Sequence, residues 1–240
     1  MFFAKAPQSQ TMNQTIKLSL RLSAAAEMVR EGSVVADVGT DHAYLPIYLC
    51  QTGRAVRAVA SDVNEGPIAR ARENIAARGL SDRIDTLLCD GLCGIEPYRP
   101  TDILILGMGG ELIVRILSDA PFVRDRSVRL ILQPMTHPEA VRAYLCQNGY
   151  AIVEERLIDE EKIYQILCAE YTGAQEEYTP LELLVGRQNL ARRDECAQKV
   201  CERFRAVFTE RLRGKRSVGG DTSVEERMLD EIAKWEENRR

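Results

Sequence analysis

The sequence has little histidine and little tryptophan: two residues of the first, His42 and His137, and one of the second. A zinc or other transition-metal site needs clustered imidazole or thiolate ligands. Neither histidine lies near Cys89 and Cys93, the two most closely spaced cysteines, so no metal is expected. No apolar run reaches the roughly 18 residues that a membrane span requires. The opening MFFAKAPQSQTMNQ turns polar after a brief apolar pair, without the apolar core of a signal peptide. These absences predict a cytoplasmic protein with no membrane partner. Internal repeats and low-complexity stretches are absent too. The seven cysteines (Cys50, Cys89, Cys93, Cys146, Cys168, Cys196 and Cys201) are odd in number and lie mostly in apolar runs, which predicts reduced thiols. Charge of neither sign dominates, with a net charge of -4. From residue 178 onward there are 14 Lys/Arg against 12 Asp/Glu, and before it 18 against 24. The tail is therefore the more basic part.

What is present is an ordinary globular composition, 45% hydrophobic and 28% charged over 240 residues, enough for one or two domains. Leu18, Leu22, Ala25, Ala26 and Val29 recur at helical spacing before Gly32. Short apolar runs rich in β-branched residues then alternate with helical patterns. The runs are residues 33–38, 55–60, 83–89, 102–106 and 129–132. Asn64 reads as the N-cap of the helix carrying Ile68, Ala71 and Ile75, and Thr136 with Glu139 reads as a capping box. Residues 151–158 and 162–168 read as two antiparallel strands across an Asp-Glu-Glu turn. The expected fold class is α/β, a Rossmann-like methyltransferase sheet with an antiparallel edge hairpin.

The pattern changes near Thr172. Leu190, Ala197, Val200, Phe204, Val207 and Phe208 predict one long amphipathic helix, and Val224, Met228, Ile232 and Trp235 a second, joined by a polar turn. Together they predict a C-terminal helical coiled-coil hairpin. The expected organisation is a flexible extension over 1–14, a ligand-binding domain over 15–172 and the helical domain over 173–240.

The chemistry concentrates at strand ends. Asp37-Val38-Gly39-Thr40-Asp41-His42 follows the first strand, where open α/β sheets bind ligands. The G-x-G-x-x-G fingerprint of dinucleotide sites is missing, and a pyrophosphate would meet Asp41, which disfavours NAD and FAD. A ligand with an amine, a sulfonium and a sugar suits it, and S-adenosylmethionine (SAM) carries all three. Asp62 ends the second strand, where a carboxylate accepts ribose hydroxyls, and Asp90-Gly91 ends the third, where an adenine edge is read. Gly107-Met108-Gly109-Gly110 follows the fourth, inviting close approach by a ligand or tight strand–helix packing. Each also has a local alternative: a capped turn for Asp37 and Asp41, an N-cap for Asp62, a plain turn for Asp90-Gly91 and a structural histidine for His42.

With those residues in view, ADVGTDHAYLPIYL, ASDVNEGPIARARENI, DILILGMGGELI, LILQPM and NGYAIVEERLIDEEKIYQIL resemble the bacterial tRNA (adenine-22-N1)-methyltransferase family over about residues 16–240. The resemblance implies SAM-dependent methylation of N1 of an adenine in the D-arm region of tRNA. It implies cofactor contacts at Asp37, Gly39, Thr40, Leu45, Asp62, Val63, Asp90, Gly91, Gly107, Met108 and Gly109, with Asp41 and His42 as catalytic candidates. Arg21, Gln133, Arg192, Arg193 and Arg203 are the candidate tRNA contacts, within a basic series running from Arg187 to Arg216. The Asn/Asp-Pro-Pro-aromatic motif that grips exocyclic amines is absent, with Gly-Met-Gly-Gly in its place, which favours attack by a ring nitrogen. The alternatives are a SAM-dependent enzyme acting on another RNA, a protein or a small molecule, and a non-catalytic SAM-binding adaptor. A monomer is expected.

Overall fold

The computed structural model describes residues 15–237, so the expected extension over 1–14 lies outside the described residues. Helix α1 (Leu20–Met28) starts at Ser19, whose hydroxyl accepts from the Leu22 amide. Strands β1 (Ser33–Val38), β2 (Ala55–Asp62) and β3 (Ile84–Leu88) alternate with helices α2 (Tyr44–Gln51) and α3 (Glu65–Ala76). Then come β4 (Asp102–Gly109), α4 (Gly110–Ser118), β5 (Arg129–Thr136), α5 (Pro138–Gln147), β6 (Tyr150–Asp159) and β7 (Ile163–Tyr171). The chain closes with α6 (Pro180–Val185), α7 (Arg187–Arg192), α8 (Glu195–Ser217) and α9 (Ser223–Glu237).

The seven strands form one sheet in the order β3-β2-β1-β4-β5-β7-β6. Pairing of β1 with β2 and of β2 with β3 is parallel. The β7 strand runs antiparallel to both β5 and β6, the expected edge hairpin. Central strands are apolar on both faces: Val35, Ala36, Ile103, Leu104, Ile105, Leu130, Ile131 and Leu132 are all fully buried. Such strands read as continuous apolar runs because helices cover both faces of a parallel sheet.

Contacts divide the described residues into two compact units that meet between residues 104 and 105, inside β4. In the first unit, fully buried Asp102 accepts from the backbone amide and Nε of Arg30, both at 3.0 Å, which fixes the end of α1 to the start of β4. In the second, a core of Leu181, Leu184, Val185, Leu190, Val200, Cys201, Phe208, Met228 and Ile232 joins α6–α9, and Leu157 and Ile163 of the edge strands pack against it. The two long C-terminal helices pair with each other as expected.

Three local expectations need correcting. Leu190 belongs to α7, not to the long helix, because Arg193 adopts a left-handed conformation (φ 55°) and Asp194 caps a new helix by accepting from the Ala197 amide. Thr136 does not cap α5. Strand β5 runs through it, His137 occupies the N-cap with φ 50°, and Glu139 bonds the His137 ring instead. The capping box lies elsewhere, at Thr179 and Glu182 around Pro180. Asn64 does sit at the N-cap of α3, but its side chain turns back to Asp62 instead of capping.

Candidate functional site

The site residues of the first unit gather at the C-terminal ends of β1, β2 and β3. Asp37, the next-to-last residue of β1, is buried, and burial pushes its carboxyl from 3.8 up to about 6. The nearby Asp62 charge adds to the rise, and the Thr40 side chain partly offsets it. The buried Thr40 hydroxyl itself has no partner in hydrogen-bonding geometry among the described residues. Gly39 turns the chain with φ 80°, a left-handed value that favours glycine. The amides of Gly39 and Thr40 both donate to the Ser61 carbonyl at 2.8 Å. These two donors are therefore spent on tying β1 to β2.

Asp62 ends β2, and its Oδ1 accepts from the backbone and the side-chain amide of Asn64, at 2.8 and 3.1 Å. Among the described residues its Oδ2 takes no bond, so the carboxylate is oriented yet half open. Val63 and Leu88 sit beside it, both large apolar side chains left exposed (61% and 46%), and Leu88 is the register partner of Asp62. Exposed apolar groups flanking an open carboxylate suit a nucleoside, with a ring between the side chains and hydroxyls on the oxygen. Sequence reasoning missed Leu88. Its signal was a large apolar residue at the C-terminal end of the third strand, two residues before Asp90. Asp90 and Gly91 follow β3, and Gly91 turns with φ 57°.

Asp41 is exposed and already engaged. Its Oδ1 accepts from Arg70 at 3.1 Å, and its Oδ2 lies 3.1 Å from His42 Nε2. The His42 ring stacks on Tyr44 with centroids 5.1 Å apart. Nothing in the sequence signals Arg70, which is 29 residues from Asp41 and on α3. Leu45 is buried inside α2, and Arg21 is half-buried on α1.

In the second unit, Gly107 is exposed at the end of β4 with φ 78°, and Met108 and Gly109 are half-buried. Gly110 serves packing: a Cβ there would stand 2.3 Å from the His137 carbonyl oxygen. One at Gly109 would stand 3.3 Å from Thr136 Oγ1. Part of the glycine cluster thus seats α4 against the β5–α5 junction, the packing role weighed above.

Gln133 is fully buried, and its amide donates to the Pro134 carbonyl and approaches the Met135 sulfur. Arg192 bonds the Glu155 carbonyl and the Asn189 side chain, and Arg193 donates to the Trp235 carbonyl while lying over the indole ring. An RNA contact by these two would compete with partners in the fold. Arg203 is exposed on α8 and, among the described residues, has no ion pair. No group of three or more His, Cys, Asp or Glu able to hold a metal occurs among the described residues, and the cysteines are free thiols. No described helix is long and apolar enough to cross a membrane.

Residues 18–167 match the model of the methyltransferase domain. The chain is 37% identical to the tRNA (adenine(22)-N(1))-methyltransferase of Bacillus subtilis over 176 residues, 73% of this chain and 74% of that protein. A Streptococcus agalactiae protein of the NADB-Rossmann superfamily superposes with a TM-score of 0.83 at 32% identity, covering 92% of this chain and 97% of its own. A putative tRNA (m1A22) methyltransferase of Streptococcus pneumoniae, solved with S-adenosyl-L-methionine, gives a TM-score of 0.79 at 31% identity, with 90% and 99% covered.

Proposed function

Since the chain belongs to the tRNA (adenine-22-N1)-methyltransferase family, we infer that it moves the methyl group of SAM to N1 of adenine 22 in tRNA. The observation that carries this reading to the site is the oriented, half-open carboxylate of Asp62 between exposed Val63 and Leu88. The donor set fits SAM: Asp62 Oδ2 for the ribose, Val63 and Leu88 for the adenine faces, Asp90 and Gly91 for its edge. Asp37 then lies on the side of the cationic methionine part. Gly39, Thr40, Leu45, Gly107, Met108 and Gly109 complete the proposed cofactor contacts, and Arg21, Gln133 and Arg203 the proposed tRNA contacts.

Bound SAM supplies an electrophilic methyl on a positive sulfur. The in-plane lone pair of adenine N1 forms the new N–C bond while the C–S pair returns to sulfur, so no proton is removed. The protein's task is alignment, which is worth several kcal/mol when reacting atoms are held in line. The product base is cationic, and a carboxylate placed near it stabilises the charge as it develops. We assign that role to Asp41, held by Arg70 on one oxygen and His42 on the other. N1 of a paired or stacked adenine must be exposed first, so local unstacking belongs to the cycle. We propose that the reaction runs in the cytoplasm, where a tRNA substrate is met, and that the chain acts as a monomer.

The test is to incubate the protein with labelled SAM and an unmodified tRNA transcript and to map the product by mass spectrometry. 1-Methyladenosine at position 22 is expected. Methyl transfer to another base, or none by protein that binds SAM, would overturn the assignment.

A further inference from the structure

The second unit carries a cleft of about 390 Å³ between the β5–α5 junction, the start of β7 and the flank of α8. Its volume lies in the range of small-ligand sites. Gln165 lines it from β7 and is 9% exposed. The Gln165 Nε2 is fixed to the Leu184 carbonyl at 3.1 Å, which leaves Oε1 as a buried acceptor with no donor among the described residues. A buried acceptor without a donor costs about 1–3 kcal/mol, so a ligand that brings an N–H there recovers it.

Two further features share the cleft. Phe204 and Phe208 of α8 line one wall, half-buried and buried, with ring centroids 6.4 Å apart. Lys162, Arg203 and Arg211 stand at its edge, all exposed and, among the described residues, without a salt bridge. Lys162 lies over the Tyr164 ring and Arg211 over Phe208, so two of the three rest on aromatic faces. Other cations of α8 are paired: Lys199 with Asp159, Arg205 with Glu236, Arg213 with Glu210, Lys215 with Glu225 and Arg216 with Glu226. The one carboxylate of the cleft, Glu139, is met by His137 at 3.0 Å. The unpaired positive charge of this helix is thus concentrated where the aromatic rings and the unmet acceptor are.

A planar ring to stack, an amine for Gln165 and a phosphate for three cations together describe one nucleotide whose base bears an exocyclic amine. We propose that this cleft is a second nucleotide-binding site, distinct from the cofactor residues, that takes an unstacked nucleotide of the RNA strand. The strand as source rests on the methyltransferase reading above. The location supports it: Thr136, which lines the cleft, also abuts Gly109 at the end of β4. A nucleotide held here would keep a neighbour of the target base out of the stack.

The experiment compares three full-length variants for KM on tRNA, SAM affinity and the salt dependence of tRNA binding. Arg203→Ala combined with Arg211→Ala should flatten the log–log salt slope by about 1, the share of the one phosphate they hold. Phe204→Ala should raise KM about tenfold without changing the slope, as loss of one stacking contact does. Arg213→Ala, on the same helix but paired and outside the cleft, should move KM less than about twofold. All three should keep SAM affinity. An unchanged slope in the double variant, or an unchanged KM in Phe204→Ala, would overturn the site. On SAM-saturated protein, AMP should compete with tRNA, and purine-riboside monophosphate, which lacks the amine, about fivefold less well. AMP binding without competition would reassign the cleft to a free nucleotide, and equal competition by the two would remove the Gln165 contact. If the wild type methylates no tRNA, the functional reading fails. The same variants titrated with single-stranded RNA would then decide the cleft on their own.

Discussion

Arg142 Nε donates to Glu155 Oε1 at 2.7 Å, and both side chains are fully buried. The pair joins α5 to β6, and its remaining hydrogen-bonding capacity is used on α6 and α7. Arg142 donates to the carbonyls of Leu183 and Val185 at 3.0 and 3.2 Å, and Glu155 Oε2 accepts from the Gln188 amide at 3.0 Å. The guanidinium thus binds the negative end of α6 while the carboxylate binds the positive end of α7.

Glu155→Ala should cost about 3–5 kcal/mol, because it strands a buried guanidinium. Gly186→Ala should also destabilise, since a Cβ there would lie 2.3 Å from Glu155 Oε1 and φ is 101°. Urea unfolding of both variants checks this. An effect below about 1 kcal/mol for Glu155→Ala, a value typical of exposed pairs, would show that the pair does not hold the helices.

Affinity for SAM should depend on pH through Asp37. The carboxyl titrates at about 6, and only its ionised form attracts a cationic ligand. Binding should therefore weaken as pH falls from 7 through 6, and Asp37→Asn should remove the dependence. For folding the sign is opposite. The folded state holds this proton more tightly than the unfolded chain, so the group's contribution falls as pH rises from 3.8 to about 6 and is flat above. Calorimetric titration across pH 5–8 tests the binding arm, and a wild-type affinity flat over that range would refute it.

Asp62→Ala should weaken SAM binding about tenfold or more, the loss expected when a charged hydrogen bond goes. Asn64→Ala should weaken it less, about threefold, because the backbone amide of residue 64 still holds Oδ1. Equal affinity of wild type and Asp62→Ala would remove the ribose role.

Asp41→Ala should slow methyl transfer at saturating tRNA by about tenfold while changing tRNA affinity much less, the pattern of a group that acts on developing charge. Single-turnover rates decide it. If only KM moves, Asp41 is a docking residue.

Much of the architecture was legible because burial on both faces writes itself into short apolar runs, and because Asp37, Asp62 and Asp90 each lie close to the end of one. What was hidden is pairing across distance. Arg142 and Glu155 are 13 residues apart on different elements, and either alone reads as a surface charge. The break before α8 was written in Arg193-Asp194, yet the apolar stripe continues through it and Leu190 still packs into the same core. Thr136 and Glu139 had the letters of a capping box, but β5 extends through Thr136 and leaves His137 at the N-cap.

The Arg142–Glu155 pair also limits how the chain can be taken apart. A chain ended at residue 172 would keep both charges but lose the carbonyls of 183 and 185 and the amide of 188 that complete their coordination. The terminal helices are therefore not a detachable module that evolution or an engineer can exchange at a linker. Grafting them onto a relative requires transplanting α5 and β6 with them.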